Sequence, residues 1–115
     1  MTFTAPAPAS DYRESGLVFP PGFIFGSRRG RGGSVHDTER VDYLRRHFTA
    51  AHRAIARGVD LRGYFVWSLL DKFEWGYGFA KRFGIVHVDF DSLQRTVKDS
   101  GLWFGRFART GVLPE

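Results

Sequence analysis

Trp67, Glu74 and Trp75 are the residues of this chain best suited to chemistry, and that chemistry is sugar recognition. An indole offers a flat apolar face to the C–H face of a pyranose ring. A carboxylate accepts hydrogen bonds from hydroxyls, and its charge strengthens them. All three residues lie in Gly63-Tyr-Phe-Val-Trp-Ser-Leu-Leu-Asp-Lys-Phe-Glu-Trp75, which starts as an apolar run of buried-strand type and breaks into a loop. Trp67 stands seven residues before Glu74, and Trp75 directly after it. Singly, each tryptophan reads as core and Glu74 as a solvated loop residue. Together they predict a carbohydrate pocket at the end of a strand.

The acids that would cleave a glycoside are missing. Hydrolysis of a glycosidic bond uses two carboxyl groups in distinct roles. Besides Glu74, the glutamates are Glu14, Glu39 and Glu115, in the leader, the first turn of a helix and the terminus. Asp71 reads as a loop-shaping residue and Asp89 as a strand-end turn former. No catalytic residue is assigned. The histidines are His36, His47, His52 and His87. His47 and His52 are five apart, hence about 140° apart on a helix, which is not the i, i+4 pair that grips a metal. Structural or surface roles are expected for all four. Cysteine is absent, so no disulfide or thiolate site exists. No metal site and no cofactor are expected.

Seventeen basic residues against twelve acidic ones leave a net charge of +5, and arginine supplies 14 of the basic set. Such a balance admits nucleic acid as a partner, and Arg28-Arg-Gly-Arg could contact RNA. The remaining arginines are spread through helices, so solvated faces are the preferred reading and nucleic acid is not expected as a partner. Residues 1–15 contain no apolar core of signal-peptide length. No run of about eighteen apolar residues exists to span a membrane. A cytoplasmic protein without membrane contact is expected.

The elements that must position the three site residues follow from periodicity. Residues 1–16 read as a flexible leader, and 17–27 as an apolar segment with a short strand at Phe23–Phe25. The basic, glycine-rich stretch within 28–36 reads as a junction that forms neither helix nor packed strand. From an N-cap at Asp37, Val41, Leu44, Phe48, Ala51 and Ile55 recur at steps of three and four. That stripe predicts an amphipathic helix, stopped by Gly58. Gly63–Trp67 follows as a strand, the αβ half of a βαβ unit. Ser68 to Gly84 is a long loop, Ile85–Phe90 a strand, Asp91–Arg95 a turn and Lys98–Ala108 a last helix. Gly101 and Gly105 weaken that helix by about 1 kcal/mol each relative to alanine. Residues 37–111 thus form one segment and 112–115 a tail.

The motif Gly63-Tyr-Phe-Val-Trp-Ser-Leu-Leu-Asp-Lys-Phe-Glu-Trp75, then Lys81-Arg-Phe-Gly-Ile-Val-His-Val-Asp89 and Arg95-Thr-Val-Lys-Asp-Ser100, resembles the C-terminal signature of glycoside hydrolase family 1, the β-glucosidase family. Phe19-Pro-Pro-Gly-Phe-Ile-Phe-Gly26 is similar to that family's first barrel strand. The resemblance implies an α/β fold, here a partial TIM (β/α)8 barrel made of the first strand and the last helix–strand–helix units. A whole barrel takes about 250 residues, far more than this chain has. The resemblance also implies a β-glucoside or other β-glycoside as the sugar partner. Trp67 would be the platform under the glycone, Glu74 the acceptor for its outer hydroxyls, Trp75 a hydrogen-bond donor to it, and Phe83 a further lining residue. Glu74-Trp75 resembles the form found with non-phosphorylated sugars.

The departures are as informative. The family's acid/base lies in Asn-Glu-Pro and its nucleophile in Glu-Asn-Gly, and this sequence contains no asparagine. Its Gln-x-Glu-Gly element is also missing, since Ser27 runs into Arg28-Arg-Gly-Arg. The expectation is a family member without its middle, inactive alone, with self-association through an exposed barrel edge. The alternative is a non-catalytic sugar binder or a fragment that complements other units.

Overall fold

The computed structural model describes residues 28–29 and 33–114. The leader and the strand expected at Phe23–Phe25 lie outside the described residues. The first elements among the described residues are two short strands, β1 (Arg28–Arg29) and β2 (Val35–His36), paired antiparallel with Arg28 opposite His36. The junction therefore does pair, contrary to the expectation from its glycines. Val35 explains why: it is buried and also bridges Lys98 in parallel, so one apolar residue pins the hairpin to the body.

Helix α1 spans Thr38–Ala56. Leu44, Phe48 and Ala51 of its apolar stripe are buried, whereas Ile55 is exposed. Asp37 occupies the N-cap position without a side-chain cap. Its carboxylate instead accepts hydrogen bonds from Ser100 N–H at 2.9 Å and Ser100 Oγ at 2.6 Å, tying α1 to the last helix. At the other end Gly58 has φ of 93°. Gly58 N–H donates to Ile55 C=O and Val59 N–H to Ala54 C=O, the paired bonds that close a helix on a left-handed glycine.

Gly63–Trp67 is not a strand, which corrects the sequence reading. A buried barrel strand is held by neighbours on both sides, and most barrel units are absent from these residues. The alternation survives nonetheless. Tyr64 and Val66 pack against the helix core, while Phe65, Trp67 and Leu69 are exposed. Parallel pairing begins at residue 68. Ser68 N–H donates to Phe83 C=O, Ile85 N–H to Ser68 C=O and Val86 N–H to Leu69 C=O, around a Leu70–Val86 bridge. The expected loop 68–84 thus carries sheet-like bonds at both ends.

The strand expected at Ile85–Phe90 is shorter, β3 (Val86–Val88), and pairs antiparallel with β4 (Arg95–Val97). Asp89 shapes the turn as expected, with Oδ1 accepting from the N–H groups of Asp91 and Ser92. Helix α2 spans Asp99–Thr110 and ends on Gly111 at φ 68°. The Asp37–Ser100 bonds at one end and the Phe48–Phe107 ring contact of 4.6 Å further along show that α1 and α2 run in the same direction. Between them lies the core of Leu44, Phe48 and Trp103, with Tyr64, Phe104 and Phe107 against it. Among the described residues no helix is long and apolar enough to cross a membrane.

Candidate sugar-binding wall

The wall is held by a buried polar hub. Asp71 is fully buried, and its carboxylate accepts from Lys98 Nζ at 2.9 Å and Gly84 N–H at 3.0 Å. Arg82 Nη1 and Val88 N–H stand further off, at 3.4 Å. Lys98 also donates to Arg82 C=O at 3.1 Å. Burial pushes the Lys98 ammonium below its ordinary value, opposed by its bond to Asp71. From α1, Arg40 reaches in and donates to Phe83 C=O and to Arg82 C=O. Burial lowers its value as well, against the pull of Asp37 and Asp71. These cations grip the carbonyls of residues 82 and 83, and the Asp71 carboxylate ties Gly84 to the 68–71 segment. Gly84 allows the approach, because a Cβ there would stand 2.2 Å from Asp71 N.

On this support the chain turns through Lys72, Phe73 and Glu74. Glu74 is the N-cap of a short 3-10 turn, Trp75–Tyr77. Glu74 N–H donates to Gly78 C=O at 2.8 Å and Tyr77 N–H to Glu74 C=O at 2.9 Å. The Glu74 side chain is 6% exposed. Its Oε2 lies 3.2 Å from Lys72 Nζ, and that ammonium stands 4.5 Å from the centroid of the Trp67 ring. Oε1 is buried with no hydrogen-bond partner among the described residues. Trp67 is 65% exposed and Trp75 84% exposed.

Trp67, Lys72 and Glu74 therefore form one contiguous group. Trp75 adjoins it through the chain, with its indole in the open. Phe83 is half-buried and contributes its carbonyl to the support. Among the described residues no ring contact joins Phe83 to either tryptophan. Lys72 and Arg40 were not singled out by their sequence positions. Lys72 sits two residues before Glu74, a spacing that placed it beside the acid. Arg40 precedes Leu44 by four, in phase with the apolar stripe, and that phase was the available signal. No group of three or more potential metal ligands occurs among the described residues.

The family model of glycosyl hydrolase family 1 matches residues 16–112. The chain belongs to that family. Its family 1 relatives include beta-glucosidase A of Acetivibrio thermocellus, 52% identical over 95 residues, which are 82% of this chain and 21% of that protein. The bifunctional beta-D-glucosidase/beta-D-fucosidase of Bifidobacterium breve is 58% identical over 73 residues, 64% of this chain and 16% of that protein. The solved beta-glucosidase of Thermotoga maritima in complex with deoxynojirimycin superposes with a TM-score of 0.76 at 50% identity, over 78% of this chain and 21% of that one. The chain spans 16–21% of the length of these family 1 proteins, and its fold is a partial α/β piece of their TIM barrel.

Proposed function

We propose that residues 67–75 are the glycone-binding wall of a retaining β-glucosidase-type hydrolase, and that these 115 residues do not hydrolyse glycosides by themselves. The observation that carries the binding half is Glu74. A buried carboxylate oxygen without a hydrogen bond costs about 1–3 kcal/mol or more. A sugar hydroxyl donating to Oε1 would recover that cost, with the exposed Trp67 ring as the platform beside it. The relatives named for β-glucosides and β-fucosides support a β-glycoside as the substrate class.

The inactivity half follows from the carboxylates. Retention needs two of them about 5–5.5 Å apart, one attacking and one shuttling the proton. Glu74 is the acid of the wall. Asp71 is engaged by Lys98 and Gly84, and Asp89 by its own turn. Purified protein is expected to show no release of nitrophenol from 4-nitrophenyl β-glucoside. A turnover that disappears in Glu74→Ala would contradict this half. For binding, tryptophan emission is titrated with glucose or cellobiose. Emission that stays constant up to high millimolar sugar would contradict the wall.

A second reading is a piece that completes its pocket with further barrel units. One observation favours it: Phe65, Trp67 and Leu69 stand exposed in a row, on the face that a closed barrel covers. Mixing the chain with a protein that carries the missing units, and recovering glucosidase activity, would separate it from simple sugar binding.

A further inference from the structure

Away from the wall, three side chains stand in an arrangement that the glycosidase reading does not use. His36 Nδ1 lies 2.7 Å from Asp99 Oδ2, and His36 Nε2 lies 3.1 Å from Ser34 Oγ. For a neutral imidazole one assignment of protons fits both contacts. The imidazole Nδ1–H donates to the carboxylate, which leaves Nε2 as the acceptor for the serine hydroxyl. A hydroxyl bonded to a base that is oriented by a carboxylate is the geometry of an activated nucleophile.

The fold produces this arrangement through β2. Ser34 and His36 are two apart along an extended segment, so they share a face. Val35 between them is buried and bridges Lys98 in parallel. That register sets His36 beside Asp99, at the start of α2. Asp99 also lines a groove of about 410 Å³ between α1 and α2. The groove's apolar lining is Val41, Leu102 and Trp103, and its further charged lining is Asp42, Arg45 and Arg106. Arg45 is already paired with Asp42 at 2.9 Å. The apolar lining suits an aromatic ring, and Arg106 suits an anionic group at its far end.

We propose that Ser34, His36 and Asp99 form an acyl-transfer site, with Ser34 the nucleophile, His36 the general base and Asp99 a positioning residue. Its substrates are small aryl esters that carry an anionic group. Ser34 Oγ attacks the ester carbonyl carbon while its proton passes to His36 Nε2. The C–O bond to the leaving group then breaks, and the aryloxide takes the proton from the imidazolium. Water attacks the resulting acyl-serine and gives its proton to His36. Collapse returns the hydrogen to Ser34 and releases the carboxylic acid. Water is the only co-reactant.

The test uses the full chain with 4-acetoxybenzoate and, as a neutral control, phenyl acetate. Mass spectrometry should find an acetyl group on Ser34. General-base assistance contributes on the order of 10²–10⁴-fold, so Ser34→Ala, which removes the nucleophile that this assistance acts on, should lower the rate by at least on the order of 10²-fold. His36→Gln should do the same. Asp99→Asn should lower kcat with KM unchanged and an unchanged far-UV spectrum, and Asp99→Glu should recover part of the loss. Arg106→Ala should remove the preference for 4-acetoxybenzoate over phenyl acetate. If Ser34→Ala keeps the rate while His36→Gln loses it, a bare imidazole is at work and the proposal is wrong. If all variants match the parent and no acyl-serine forms, the three residues only clasp the hairpin to α2, and the proposal is equally wrong.

Discussion

Replacing Lys98 by methionine should be among the most damaging single changes to this structure. Lys98 and Asp71 are both fully buried, with 2.9 Å between Nζ and Oδ1. Removing one member of such a pair strands the other, at about 3–5 kcal/mol. Two features place the cost at the lower end. Asp71 keeps Gly84 N–H at 3.0 Å and the longer contacts to Arg82 and Val88. Methionine also fills most of the volume of the lysine stem. The expected loss is therefore about 3 kcal/mol. At roughly 4 °C per kcal/mol for a domain of this length, the midpoint should fall by about 12 °C. The double variant Asp71→Asn/Lys98→Met removes both charges, and it should return to within about 1 kcal/mol of the parent. Near-UV circular dichroism during urea and thermal unfolding measures all four corners of the cycle. A single Lys98→Met variant within about 0.5 kcal/mol of the parent would refute the hub, since this is the usual scale of surface changes.

The two glycines of α2 should respond oppositely to alanine. At Gly101 a Cβ would stand 2.6 Å from Ile85 O and 2.8 Å from Val97 Cγ1, so overpacking of about 1–3 kcal/mol should outweigh the helix gain. Gly105 faces open space, and Gly105→Ala should stabilise by about 0.5–1 kcal/mol in the same urea assay. Burial raises the Tyr64 phenol well above its ordinary value of about 10, with Tyr43 adding to the shift. The fold favours the neutral phenol, so this contribution is intact below about pH 10 and is lost as pH rises beyond it. Absorbance at alkaline pH should show Tyr64 ionising together with unfolding rather than before it. The exposed row of Phe65, Trp67 and Leu69 should drive concentration-dependent association, visible by sedimentation and weakened by Leu69→Glu.

What the sequence disclosed was mostly local. The stripe from Val41 to Ile55 and the stop at Gly58 depend on neighbours within a few residues, and α1 follows them closely. The same holds for Gly111 after α2. Gly63–Trp67 misled because a run of apolar residues specifies burial, while a ladder needs partners that the run cannot supply. Arg95–Val97 is short and polar, and only its pairing with Val86–Val88 makes it a strand. Arg40 read as another helix arginine, yet its guanidinium bonds carbonyls more than forty residues away. In the site, the grouping of Trp67 with Glu74 was legible from spacing. Lys72 as the link between them was not, because a lysine beside an acid is ordinarily a solvated pair.

Contacts confined to the last units explain how so small a share of a barrel can still present an ordered wall. The supports of Glu74 are the bonds between residues 68–71 and 83–86, the Asp71–Lys98 pair and the reach of Arg40 from α1. Each of them lies within the last barrel units, and none requires a neighbour from elsewhere in the barrel. Trp67 and Trp75 take no part in these supports and are exposed. Lys72 then has a consequence for affinity. Its ammonium stands over the Trp67 ring, a contact worth about 0.5–1 kcal/mol at an exposed site. A sugar stacking on that face must displace it, and in doing so separates Lys72 from Glu74 as well. Weak sugar binding by residues 67–75 alone is therefore the physical expectation.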